Sequence, residues 1–214
     1  MLKGSIALTA GLLLFGALPA AYGQRWEFGA GGAGSFYQSR TVSGPLGSGD
    51  AGFKTGGGFY ASLGQIGNRY GGELRYTYLF NDMRVKTDRG TTTLGGRSQS
   101  VEYNLHYYFR DGESSVRPYL IAGGGVRLFT GINGGPAIQP TMNVAVLTNT
   151  TQISPLLTGG AGVRVRLNAR LAFRAELRTA FTPSPEDVIT PTYGAKLGGW
   201  FFNVLPVAGI TYEW

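Results

Sequence analysis

A chain of 214 residues with 19 Lys and Arg against 12 Asp and Glu carries a formal charge of +7, yet only 14% of it is charged and 13% is aromatic. Its aromatic content excludes a disordered chain, and beyond the amino terminus it has no run approaching the ~20 consecutive apolar residues of a membrane helix. Cys is absent, which excludes disulfides, thiol nucleophiles and thiolate metal sites, and the basic residues are scattered rather than gathered on one face, which argues against nucleic acid as a partner.

Residues 1–23 read as an address. Lys3 supplies a short positive region, Ile6 to Leu18 an apolar core, and Ala21-Tyr22-Gly23 the small residues of a cleavage site. That order is secretory, and the core is too short to span a membrane comfortably. Cleavage is expected after Gly23, leaving residues 24–214 as one domain.

The remaining chain alternates with period two, the signature of strands whose side chains face two environments. Eight strands are predicted: Trp26–Tyr37, Phe53–Ile66, Tyr70–Phe80, Ser98–Phe109, Arg117–Thr130, Ile153–Leu167, Arg170–Phe181 and Trp200–Trp214. The fourth alternates most cleanly, with Val101, Tyr103, Leu105, Tyr107 and Phe109 against Glu102, Asn104, His106 and Tyr108. Between strands, long and short connections take turns. The long ones are a Ser/Gly/Pro-rich loop after Tyr37, Asn81–Gly96, Gly131–Thr151 and Thr182–Gly198; the short ones are Gly67–Arg69, Arg110–Ser115 and Asn168–Ala169. Short turns on one side and long loops on the other are a feature of membrane-spanning β-barrels. A barrel in lipid must also close, because an open sheet edge would leave backbone groups unpaired in hydrocarbon.

One face of each strand is apolar, and aromatics sit near its ends: Trp26, Phe36, Tyr70, Phe80, Phe109, Phe181, Trp200 and Trp214. Such positions suit girdles at the two lipid–water interfaces. The charged face is then expected inside. Its members are Glu27, Lys54, Glu73, Arg75, Glu102, His106, Arg127, Arg164, Arg166, Arg174, Glu176, Arg178 and Glu213. Eight strands leave a bore that side chains fill, and buried charges must be paired, so Arg–Glu networks are expected to close it. The glycines on this face, such as Gly58, Gly123, Gly125 and Gly160, leave room for Arg stems.

The closing strand, Trp200 to Trp214, has Trp214, Tyr212, Ile210, Ala208, Pro206, Val204, Phe202 and Trp200 on one apolar face and ends on an aromatic residue. With the strand number and the loop alternation, this resembles the small bacterial outer-membrane β-barrel family that includes the membrane domain of OmpA and the OmpX type, here without a peptidoglycan-binding domain. The resemblance implies an all-β fold, an eight-stranded antiparallel up-and-down transmembrane barrel in the bacterial outer membrane. It also implies a monomer without catalysis, cofactor or metal, in a structural or surface-contact role. Its partners would be outer-membrane lipid and lipopolysaccharide, with the assembly machinery reading the strand that ends at Trp214.

Two alternatives are a narrow pore for small solutes, lined by the same charges, and a lipid A-modifying enzyme. The lipid A deacylase family carries His-x-Ser on a lipid-facing strand; here the one histidine reads His106-Tyr-Tyr108 and its parity points inward. Gly29-Ala-Gly-Gly-Ala-Gly34 matches a dinucleotide fingerprint, but that motif needs a helix to open at the turn, and here a strand continues. Asn149-Thr-Thr151 matches a glycosylation acceptor pattern without meaning in a bacterial chain. In the second long loop Arg84, Lys86, Arg89 and Arg97 face only Asp82 and Asp88. Arginines suit phosphate, so these four are candidates for lipopolysaccharide contact.

Overall fold

The computed structural model describes residues 25–132 and 139–214; the expected signal peptide lies outside the described residues. In chain order the described strands are β1 (Arg25–Tyr37), β2 (Arg40–Gly44), β3 (Gly47–Phe53), β4 (Gly56–Ile66), β5 (Tyr70–Phe80), β6 (Met83–Thr87), β7 (Gly90–Tyr108), β8 (Val116–Ile132), β9 (Ala145–Leu147), β10 (Thr151–Arg166), β11 (Leu171–Pro183), β12 (Ile189–Pro191) and β13 (Trp200–Glu213). Eight of them, β1, β4, β5, β7, β8, β10, β11 and β13, pair antiparallel in that order. The ring closes where β1 meets β13, in a register running from Glu27 opposite Glu213 to Tyr37 opposite Asn203.

Alternation sets the orientation of every wall strand. In β7 buried and less buried residues take turns along its length; Glu102, Asn104 and His106 are buried while Val101 and Leu105 are 45% and 55% exposed. The expected girdle residues are all on the outside, from Phe181 at 40% to Tyr70 at 71%. Trp26 and Phe36 lie ten residues apart on one strand. At about 3.3 Å per residue and a tilt near 45°, that separates the two girdles by ~23 Å, the height of an apolar membrane band. A soluble barrel would bury these rows and wet the charges; here the arrangement is reversed.

The short connections are tight and stitched together. Asn168 Oδ1 accepts from the amides of Arg170 (2.9 Å) and Leu171 (2.8 Å), an Asx turn between β10 and β11. Arg69 reaches Asp111 at 2.7 Å, and Asn68 Oδ1 accepts from the Gly112 amide at 2.8 Å, so the first two turns hold one another. On the inner wall, glycine is required where strands crowd. A Cβ on Gly58 or Gly125 would run into the carbonyl oxygen of Tyr78 or Val101 on the neighbouring strand.

The long connections depart from the sequence expectation. The loop after Tyr37 is the hairpin β2–β3, and Asn81–Gly96 holds β6 and the start of a 19-residue β7. β2, β3, β6 and the start of β7 form one sheet beyond the mouth of the barrel. The last two long loops contribute the pair β9–β12. Ser43 and Lys196 exchange backbone bonds of 3.3 and 2.9 Å, which ties the first loop to the last. Beneath these elements Val42, Phe53, Met83, Val85, Leu94, Val144, Leu147, Val188, Ile189 and Leu197 pack with Phe129 and Phe201 of the wall into one apolar cluster. The ring of Phe53 stacks on Phe129 at 5.2 Å and meets Phe201 edge-on at 5.8 Å. The described parts of the four long loops therefore form a folded cap.

Candidate functional site

The interior of the barrel is where chemistry-bearing side chains converge. β11 alternates Arg174, Glu176 and Arg178 inward, and β5 does the same with Glu73 and Arg75. Facing each other across a narrow bore, these two strands build its centre. Glu176 binds Arg75 (Nη1–Oε2 2.9 Å), Arg174 (2.6 Å) and Arg178 (3.2 Å), and also accepts from the Tyr119 hydroxyl at 2.6 Å. Glu73 binds Arg75 at 2.7 Å and Arg174 at 2.9 Å. Arg174 continues to Glu27 on β1 (3.2 Å), Arg164 links Glu27 (3.6 Å) to Glu213 on the closing strand, and Arg178 reaches Glu102 on β7 (2.8 Å). The Arg75 guanidinium also lies 4.2 Å over the Tyr60 ring. Six strands thus share one ionic network, every member of which is less than one-tenth exposed. Burial removes each charge from water at a cost of several kcal/mol, which multiple short bonds to opposite charges offset.

The expected interior residues fall as follows. Glu27, Glu73, Arg75, Glu102, Arg164, Arg174, Glu176, Arg178 and Glu213 are joined in this network, and His106 and Arg127 are buried beside it. His106 Nε2 is 3.6 Å from Glu73, beyond hydrogen-bond distance, and its ring packs against Tyr108 and Tyr119. Arg166 is half-buried at the short-turn mouth, where it donates to the Gly112 carbonyl. Lys54 is a correction. It is exposed, outside the bore, in the two-residue break between β3 and β4, and it pairs with Asp82 at 3.7 Å. The strand rhythm that would have turned it inward is interrupted there. Arg117 was not among the expected residues, although it shares parity with Arg127. It is 3% exposed, donates to the carbonyls of Gly67 (2.8 Å) and Asn68 (2.6 Å), and lies 4.0 Å over the Tyr108 ring. Tyr60 and Tyr119 were also missed, because an aromatic ring on a charged face gives no signal of a bonding role.

Apolar layers bound the ionic centre on both sides. Ile66, Tyr108, Tyr119 and Ile121 lie toward the short turns. Ala33, Leu79, Leu156, Ala180, Leu205 and Val207 lie toward the cap. A second group of charges lies outside the bore. Arg84 and Lys86 are exposed on β6 opposite Thr93 and Thr91 of β7, and Arg97 shares the outward parity of those threonines. Arg97 is paired with Phe80 of the outer girdle, so this basic face starts at the girdle and extends onto the cap. Arg89 is exposed in the β6–β7 turn, and Asp50 stands opposite Lys86 on β3.

Residues 7–199 match the model of the outer membrane protein beta-barrel domain. The chain belongs to this family. The outer membrane barrel shares its fold with OprG of Pseudomonas aeruginosa (16% identity, 90% of this chain and 96% of that one, TM-score 0.60). It also resembles Neisserial surface protein A (18% identity, 88% and 97%, TM-score 0.56). A third structure of the same fold is Ail, the attachment invasion locus protein of Yersinia pestis, in complex with the heparin analogue sucrose octasulfate (12% identity, 90% and 99%, TM-score 0.50). No curated protein matches the chain in sequence. This outer membrane barrel is a protein of the bacterial outer membrane, and its exposed apolar rows are the surface that meets lipid.

Proposed function

We propose that this outer membrane barrel is a non-catalytic, closed integral protein with a structural and surface-contact role in the envelope, and that its cap sheet rests on lipopolysaccharide. The observation that carries the proposal is the filled bore: an ionic network less than one-tenth exposed lies between apolar layers beneath a folded cap. Nothing small crosses such an interior without breaking several charge-assisted bonds at once. His106 supports the absence of catalysis. It is 3% exposed and walled by tyrosines, out of reach of lipid. The lipopolysaccharide contact rests on Arg84, Lys86 and Arg97, which share the outward face just beyond the girdle, where headgroup phosphates would lie. Among structures of this fold, Ail is solved with a polysulfated sugar, and anionic-sugar recognition by basic residues is the chemistry proposed here.

Two measurements test this. In planar bilayers the purified barrel should give no conductance steps; regular steps would replace the proposal with a pore. Lipopolysaccharide retained through purification should fall several-fold in the variant Arg84→Ser, Lys86→Ser, Arg97→Ser, with heat-modifiable gel migration checking that the barrel is folded. Unchanged retention in a folded variant would remove the lipopolysaccharide contact. Lipid A of altered mass after incubation with the protein, lost in His106→Ala, would show an enzyme instead.

A further inference from the structure

At the short-turn end of the barrel two exposed arginines stand on the rim short of counter-charge. Arg170 leaves the Asn168 turn just before β11, and its Nη1 donates to the Tyr212 hydroxyl at 3.4 Å. Tyr212 belongs to the outward row of β13, so this guanidinium is held outside the wall, at the level of the girdle. Among the described residues Arg170 meets no carboxylate within ion-pair distance. Arg25, at the start of β1, reaches Glu213 at 3.5 Å, but Glu213 is already in close contact with Arg164 of the buried network. A guanidinium stays protonated at any working pH and presents a fork of donors that matches a phosphate.

Arg25 and Arg170 line one open niche of about 370 Å³ with Ala169, Tyr212, Glu213 and Trp214, within the size range of small-ligand sites. The backbone fixes its walls. The Glu213 amide donates to the Arg170 carbonyl at 2.8 Å and the Trp214 amide to the Trp26 carbonyl at 3.1 Å, which ties the last short turn, β13 and β1 together. The rings of Tyr212 and Trp214 stack at 6.4 Å and give the niche an aromatic side. From there the apolar surface continues along the wall: Tyr212 stands between Phe28 and Leu171, and Ile210 between Ala30 and Phe173. Cations at the rim, then an aromatic belt, then aliphatic rows match the order of phosphate, glycerol and acyl chain in a phospholipid. Short turns of such barrels face the periplasm, where the adjoining leaflet is phospholipid. We propose that the niche is a binding site for one anionic phospholipid of that leaflet, its phosphodiester between Arg25 and Arg170 and its chains on the rows beside Tyr212. Because the guanidinium charge exceeds what Glu213 supplies, a head group without an ammonium is preferred to a zwitterionic one. The site is independent of the lipopolysaccharide contact, which lies at the opposite end of the barrel.

Phosphatidylglycerol is the probe. Native mass spectrometry of the folded barrel in non-ionic detergent should show one phosphatidylglycerol bound saturably, about tenfold tighter than phosphatidylcholine with the same chains. This comparison needs no variant, and equal binding of the two lipids would overturn the site. Arg25→Gln with Arg170→Gln should lower the phosphatidylglycerol affinity about tenfold. Arg110→Gln, which removes an exposed arginine outside the niche at the same end of the barrel, should leave it unchanged. Heat-modifiable gel migration checks that each variant is folded. Unchanged affinity in the folded double variant, or an equal loss in Arg110→Gln, would reduce the niche to diffuse rim charge and overturn the proposal. Inorganic phosphate in excess should leave the lipid bound; its release by phosphate alone would mark a site for soluble phosphate and overturn the lipid assignment.

Discussion

In the middle of the bore the side chains that close the barrel are arginines and glutamates, contributed by six wall strands. At the mouth they are phenylalanine, valine, leucine and methionine, contributed mainly by the long connections. The difference follows from the solvent outside each region. Within the bilayer an apolar side chain gains little by leaving lipid, because the tails are as apolar as the protein interior. There the wall spends its apolar residues outward, and directional charge-assisted bonds fix how strands face each other across the bore. Beyond the girdle the surroundings are aqueous, so burying Phe53 or Val85 is itself a driving force, and the connections fold into a cap on that account.

Breaking one of these devices should therefore look unlike breaking the other. The largest loss is expected from Glu176→Gln. This carboxylate serves three arginines and a tyrosine, so its removal leaves buried guanidinium groups short of charge and should lower the urea-unfolding free energy in lipid vesicles by about 3–5 kcal/mol. A loss under about 1 kcal/mol would mean that the network reorganises freely and does not lock the wall. Phe53→Ala comes next. A buried phenylalanine truncated to alanine costs about 3 kcal/mol, but here the loss should stay in the cap. Proteolysis should open segments 38–55 and 139–150, while heat-modifiable migration still reports a closed barrel. If the barrel itself fails to fold, cap and wall form one cooperative unit and the contrast between them falls.

The wall was legible in the sequence because each strand carries its own evidence. Arg174, Glu176 and Arg178 alternate with Phe173, Ala175 and Leu177 within a single stretch, so the inward face needs no knowledge of neighbours. Which arginine meets which glutamate was not legible, since it depends on register between strands distant in sequence. The cap was hidden for a related reason. Its cluster takes two or three residues from each of several segments, such as Met83 and Val85 from one and Val188 and Ile189 from another. No single segment is apolar enough to stand out against its Ser, Thr and Gly. Lys54 was misplaced because a count by twos was carried through residues 54–55, where the ladder is broken.

Lys54 also gives the smallest expected effect and the sharpest control. Its ion pair with Asp82 is 3.7 Å long, and the two side chains are 43% and 52% exposed. The position is held by the backbone: the Lys54 amide donates to the Asp82 carbonyl at 2.7 Å, and the Lys54 carbonyl accepts from Asn81 Nδ2 at 3.0 Å. Neither bond needs the ammonium. An exposed pair of this kind contributes between zero and about 1 kcal/mol and is screened by salt. Lys54→Gln should thus leave the unfolding midpoint nearly unchanged, with any small loss vanishing at high ionic strength, whereas the loss in Glu176→Gln should persist there. If salt removed both losses alike, the network in the bore would be wet, and the difference in solvent that separates wall from cap would not hold.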